Sequence, residues 1–330
     1  MEALLQAIPA ERYRAPRQML ALASTAEEEA RHLRENGHCP PALAADLHAR
    51  ALSELANAWR INERLAEADE LLEEADAARS EGTGDPLVLA RLQEVASSLR
   101  RDQRRLAEAI EALDDTGQLY REIGETHLAG RSLINKGICT AHAGHYREAT
   151  EILQEGLQRI DAARDPQLAA IGRHCYILSL ADCGEHLRAS ELLLKSGLRE
   201  EYAAEPLNLL KLRWLEGRIH AGLGRLRQAE TALAAARQGF FERDQRYDAA
   251  LVGLDLLGVW LRQEKATEAQ ELAEDVLQAF LALGIQSEAL KALRFLREAF
   301  HRRAATPMMV QLVVEFLRRL EWQPLLRFAP

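Results

Sequence analysis

Four cationic residues stand at intervals that would let them act together if the chain repeats. Arg50, Arg91, Arg131 and Lys211 are separated by 41, 40 and 80 residues. Arginine and lysine grip carboxylates through charge-assisted hydrogen bonds, the strong class of hydrogen bond in proteins. Asn135 follows Arg131 by four residues, so on a helix both face the same way. The chemistry implied is recognition of a carboxylate. The plainer alternative is a column that is solvated, or paired within the chain.

Other candidates carry less. Cys139, His142 and His145 have a spacing that zinc would accept, but Gly144 breaks the helix between the histidines, and a buried thiol with two ordinary histidines is the simpler reading. His32, His38 and Cys39 form a weaker cluster. The stretch "EGTGDP" (81–86) lacks the preceding strand that a phosphate cradle needs, and reads as a turn. No P-loop, dinucleotide fingerprint, H-E-x-x-H or G-x-S-x-G motif is present. We therefore expect no catalytic residue, no cofactor and no metal. "AEEEARHLRE" (26–35) reads as a solvated helix face with i,i+4 ion pairs, and "LRRDQRR" (99–105) as a solvated helix end.

The elements that would position these side chains are helices. Leu, Ala, Glu, Arg and Gln dominate the 330 residues, while aromatics make up only 5%, a composition of strong helix formers. The net charge of −9 argues against general nucleic-acid binding, which depends on neutralising phosphates. The four cysteines include no C-x-x-C pair and suggest a reducing compartment. "MEALLQAIPAERYR" lacks the basic start of a signal peptide. The most apolar run, "AALVGLDLLGVWL" (249–261), is short and carries Asp255. A cytoplasmic protein with no membrane or direct nucleic-acid partner is expected.

The helices repeat. GHYREA (144–149), GEHLRA (184–189) and GRLRQA (224–229) share one pattern, with weaker copies ERLAEA (63–68), RRLAEA (104–109) and EKATEA (264–269). Their closing alanines, Ala68, Ala109, Ala149, Ala189, Ala229 and Ala269, step by 41, 40, 40, 40 and 40 residues. In "LLKLRWLEGRIHAGL" (209–223), Leu212, Leu215, Ile219 and Leu223 form one apolar stripe. Gly224 can end that helix, and "QAETALAAARQGFF" (228–241) resumes the pattern. Each unit is thus a helix pair, with the alanine and an earlier glycine (Gly137, Gly217) allowing close approach.

These features resemble the tetratricopeptide repeat (TPR), through Gly137, Gly144, Tyr146 and Ala149 in one unit and Gly217, Gly224, Leu226 and Ala229 in another. Three units depart from the motif, with Glu63, Arg104 and Glu264 at the turn glycine. The resemblance covers residues 44–305 and implies an all-α, right-handed α-solenoid in one array: a leading half-repeat over 1–43, six full repeats over 44–285 and capping helices over 286–330. In the half-repeat, Tyr13 takes the role of Leu226, and no first helix precedes it.

The resemblance also implies that the column containing Arg91 lines a concave surface, where helices about 10 Å apart would make it a basic ladder. Asn57, His174, Trp214 and Arg218 fall on the same wall, where Trp214 is either an anchor for a ligand or, at least as well, a core packing residue. Two functions fit such a surface. One is a non-catalytic scaffold for a protein or an acidic or carboxylate-bearing peptide. The other is the ligand-sensing arm of a larger bacterial signalling protein, either a transcriptional regulator or a protease-linked effector.

Overall fold

The computed structural model describes residues 1–8, 15–37, 39–284 and 286–329, with the side chains of Glu2, Gln6 and Glu288 excepted. Tyr13 and His38 lie outside the described residues. Two helices lead, α1 (Glu2–Ala7) and α2 (Pro16–Asn36). Helix pairs follow: α3 (Pro41–Ile61) with α4 (Leu65–Ser80), α5 (Pro86–Asp102) with α6 (Leu106–Glu122), and α7 (Thr126–His142) with α8 (Tyr146–Arg159). Next come α9 (Pro166–Asp182), α10 (His186–Lys195) and the short α11 (Leu198–Glu201). The chain closes with α12 (Pro206–Gly222), α13 (Leu226–Phe241), α14 (Arg246–Arg262), α15 (Ala266–Ala282), α16 (Ser287–His301) and α17 (Pro307–Trp322). No strand occurs among the described residues.

Local chemistry sets this rhythm. Pro41, Pro86, Pro166 and Pro206 open first helices, where a missing N–H costs nothing and φ is already helical. All six anchor alanines are completely buried. At Gly137 and Gly217 an added Cβ would fall 2.5 Å from Leu153 Cγ and 2.6 Å from Leu233 Cγ. Both leucines lie one helical turn past an anchor alanine, so first and second helices meet there at backbone distance.

The turn position keeps its geometry even where it is not glycine. Gly224 has φ +74°, and Glu63, Arg104 and Glu264 adopt +63°, +66° and +63°. A side chain in that left-handed region costs roughly 1–2 kcal/mol. Glu264→Gly should therefore raise stability by about 1 kcal/mol in urea unfolding. An unchanged midpoint would show that the Glu264 side chain compensates the strain.

The regular pair is interrupted once. Where the repeat predicts one continuous second helix after Ala189, Gly197 at φ +69° separates α10 from α11. "KSGLREE" supplies the break: Ser196 Oγ accepts from the Leu198 amide. Arg173 on α9 then clasps Glu201 of α11 at 2.5 Å. The turn reading of 81–86 agrees with the structure, since Thr83 donates to Asp46 through its amide and hydroxyl and Asp85 caps α5. At the N-terminus, α1 stands where the sequence gives no first helix. It is six residues long, and its Leu5 and the following Ile8 are buried.

Contacts divide the chain into two units. Unit 1 comprises Met1–Thr140 and Ile152–Asp165; unit 2 comprises Ala141–Glu151 and Pro166–Pro330. Within unit 1, alanines of α2 and α3 pack around Met19 and Leu55, and Leu52, Leu72, Val95 and Leu99 fill the space between α3, α4 and α5. Within unit 2, Phe240, Leu257, Val276 and Phe280 centre a large apolar cluster that also takes Val313, Phe316 and Leu317 of α17.

Candidate functional site

In both units the first helices are cross-linked by polar side chains. In unit 1, Arg91 on α5 donates Nε and Nη2 to Glu54 on α3 at 2.7 and 2.9 Å, and Nη1 to Glu94 at 3.1 Å. Arg131 on α7 reaches back to the same Glu94 at 2.5–2.9 Å. Arg91 and Arg131 are therefore paired within the chain, with glutamates interleaved between them, as the plainer alternative for this column has it. Burial alone would raise the Glu94 carboxyl, but Arg131 and Arg91 outweigh it and hold it below its ordinary value. Burial likewise opposes the charge on Arg91, and Glu54 and Glu94 reverse the effect. Both arginine side chains stay 26% exposed.

Asn57 is buried and accepts from Arg60 Nε and Nη2 at 3.2 and 2.8 Å. Arg60 then donates to Asp102 on α5 at 2.5 Å. Asn57 thus aims a guanidinium at the neighbouring first helix. Arg50 on α3 and Asn135 on α7 are half-buried. The basic run 99–105 is matched locally, Arg101 by Asp102 and Arg105 by Glu108. Cys139 is buried, and burial pushes its thiol up to about 11, which leaves it a poor metal ligand or nucleophile at neutral pH.

In unit 2 the wall centres on α12. Trp214 donates Nε1 to Asp255 of α14 at 2.6 Å and sets its ring edge-on to Phe240. Arg218 pairs with Asp182 of α9 and lies 3.9 Å from Asp255. Burial would lower the Arg218 pKa, but the two aspartates raise it. Lys211 is exposed, and Leu251, its counterpart in the next repeat, is buried.

His174 faces Tyr202 with ring centroids 6.0 Å apart. Burial first, and the charge of Lys211 second, lower its pKa to about 4. A histidine depressed in the folded state contributes stability that is fully present above about pH 6.5 and is lost as pH falls. The unfolded chain then takes up a proton that the folded chain refuses. Between pH 6.5 and about 4, this residue should lower stability by about 1.4 kcal/mol per pH unit. Urea titrations of the wild type and His174→Gln across that range should differ in slope; parallel curves would refute the assignment.

The structure adds residues that the sequence reading passed over: Glu54, Glu94, Asp182 and Asp255. Glu54 and Glu94 stand four and three residues after Arg50 and Arg91, a spacing that already puts them on the arginine face. Asp255 sits in the most apolar run of the chain, where a carboxylate needs a partner. Among the described residues no group of three His, Cys, Asp or Glu is gathered as for a metal ion. No described helix is long and apolar enough to cross a membrane.

No protein-family model and no curated protein matches the chain. Solved structures do match. A Rap protein complexed with Competence and Sporulation Factor aligns at TM-score 0.69 and 12% identity, over 98% of this chain and 89% of that one. The apo form of the quorum sensor NprR from B. thuringiensis gives TM-score 0.68 and 17% identity, over 92% and 82%. NprR in complex with its cognate peptide NprX gives TM-score 0.61 and 14% identity, over 98% and 97%. Rap and NprR are TPR-like helical repeat proteins. At these identities the likeness establishes the fold: the chain is an all-α, TPR-like array of helix pairs.

Proposed function

We propose that the protein is a non-catalytic scaffold that binds a protein or peptide on the wall of its first helices. The observation that carries this reading is the chemistry of that wall. A surface with only a structural task would be apolar where buried and charged where wet. Here half-buried Arg91, Arg131, Trp214 and Arg218 are held in fixed geometry by carboxylates from neighbouring repeats. Preorganised groups of this kind bind with little further loss of conformational freedom. The shared fold adds support, since the matched Rap and NprR structures include complexes with Competence and Sporulation Factor and with a cognate peptide.

For unit 1 the ligand chemistry that fits is a carboxylate. Arg91 and Arg131 keep solvent access, and an incoming carboxylate could replace Glu94 between them. The protein would work in the cytoplasm, without a membrane or direct nucleic-acid partner. A second reading, the sensing arm of a larger bacterial signalling protein, draws on the likeness to the quorum sensor NprR. An output domain encoded beside this chain in its native gene would support it.

The test is selection of a random peptide library on the immobilised full-length chain. Enriched peptides are then titrated against the wild type, Arg131→Gln and Trp214→Ala. Saturable binding that weakens at least tenfold in one wall variant is expected. Absence of enrichment, or binding indifferent to both variants, would overturn the scaffold reading.

A further inference from the structure

Helix α17 does not take the regular second-helix position. In the repeats, a second helix packs along its own first helix, as α13 does on α12 and α15 on α14. Helix α17 packs on α16 but also on α14, the first helix of the preceding pair, and from there crosses the wall of unit 2. Near its start, Val310 Cγ1 lies 3.5 Å from where a Gly258 Cβ would stand. One helical turn past the middle, Arg318 donates to Asp255 of α14 at 2.8 Å. It also lies 3.7 Å from Asp182 of α9 and 5.9 Å from the centre of the Trp214 ring of α12. At the far end, Trp322 stacks on His142 with centroids 3.5 Å apart, and Gln323 donates to the Ala143 carbonyl at 3.0 Å. Between them Tyr146 donates to Glu315 at 3.1 Å, and the Arg319 side chain lies over Gly144.

The second half of the α17 face turned to this wall is not written like a core helix. Val310, Val314, Arg318 and Trp322 recur every four residues, beside the column Gln311, Glu315, Arg319 and Gln323. Val310 and Val314 join the same apolar cluster as Val313, Phe316, Leu317 and Leu320, whereas Arg318 extends beyond it onto the wall. The wall contact is also incompletely filled. A cleft of ≈ 380 Å³, open to solvent, remains between α17 and the wall, lined by Asp182, His186, Arg218 and Asp255 on one side and by Gln311 and Arg318 on the other. Without α17, Asp182 and Asp255 would face a single buried cation, Arg218. The wall would then favour a second cation beside the Trp214 ring, the place Arg318 fills.

Resting on the scaffold reading, we propose that α17 is an intramolecular occupant of the unit 2 binding wall, displaced by a partner's helical segment that presents the same V-x3-V-x3-R-x3-W pattern. The occupant argues its own chemistry: its arginine completes the ion cluster, and its tryptophan finds a stacking partner at the α7–α8 turn. Such a device couples ligand binding to release of the C-terminal helix, because both cannot hold Asp182 and Asp255 at once.

The experiment uses the full-length chain and a fluorescein-labelled peptide of residues 307–323 as probe, read by fluorescence polarisation. Three forms are compared: wild type, Arg318→Glu, and a Gly258→Cys/Val310→Cys form that can be oxidised to pin α17 to α14. Probe affinity should rise at least tenfold in Arg318→Glu, where the resident helix is repelled by the aspartates. It should vanish in the oxidised double-cysteine form and return on reduction. Arg318→Gln, with a cooperative melt as the folding control, should lie between wild type and Arg318→Glu.

Equal affinity in all forms would overturn the proposal, as would absence of binding to a cooperatively folded Arg318→Glu. So would dimerisation of Arg318→Glu through exchanged α17 helices, seen by light scattering, which would make the occupant a second copy. If library-selected peptides bind wild type and oxidised forms alike, the scaffold reading stands and the displacement proposal falls.

Discussion

Glu94→Gln should destabilise the protein by about 3 kcal/mol, one of the largest effects expected of a single polar substitution in this chain. Glu94 is the only carboxylate placed between Arg91 and Arg131 among the described contacts, at 3.1 Å from one and 2.5 Å from the other. Removing its charge leaves Arg131 without its carboxylate and facing Arg91, which keeps Glu54, with water reaching only part of each guanidinium. Breaking a buried ion pair from one side typically costs 3–5 kcal/mol, because the surviving charge is uncompensated. Glutamine keeps one acceptor, which argues for the lower end.

The loss should be read by urea denaturation and should be relieved when Arg131 is also changed to methionine, since Arg91 keeps Glu54 as its partner and no guanidinium is then left without a carboxylate. A loss under about 1 kcal/mol, the scale of surface pairs, would mean that solvent screens the ladder. The same contact should weaken in acid. A carboxyl held below its ordinary value contributes stability that is present above about pH 4.5 and is lost as pH falls through its folded pKa.

Asp255→Ala should have a comparable effect, centred on unit 2. Asp255 accepts from the Trp214 indole at 2.6 Å and from Arg318 at 2.8 Å, and lies 3.9 Å from Arg218. One substitution therefore strands an indole N–H and weakens the anchoring of two guanidiniums. About 3 kcal/mol is expected in urea unfolding, together with faster hydrogen exchange in α17, whose tie to the wall passes through Arg318. A double-mutant cycle of Asp255→Ala with Arg318→Ala should give a coupling of about 1–3 kcal/mol. Additive losses would show that Arg318 takes its support from Asp182 instead.

The wall and the ladder were legible in the chain to different depths. Arg91 and Arg131 occupy one face because they stand at one repeat position, and position within a repeat is a local property. Glu54 and Glu94 were equally visible at helical spacing, but a column of like charges reads as a ligand grip until its partners are in place. Residues 196–197 show the opposite failure. The forty-residue period continues across them, yet Gly197 breaks the second helix into α10 and α11, because periodicity records where repeats start and not whether each helix runs to its end.

The period, the helix pairs, the buried alanine joints and the left-handed turns all follow from residues within one repeat of each other. Helical propensity, an apolar stripe and a small residue at a close approach act over a few turns, so they can be read from the chain unaided. The charge that each arginine meets and the seat of α17 could not be read that way. Glu94 and Arg131 are 37 residues apart, Asp255 and Arg318 are 63, and Tyr146 and Glu315 are 169. Those contacts exist only once packing has stacked the helices, when desolvation forces each buried charge to find the nearest opposite one. Only that packing shows that α17 lies against α14 and brings Arg318 to Asp255, Asp182 and the Trp214 ring.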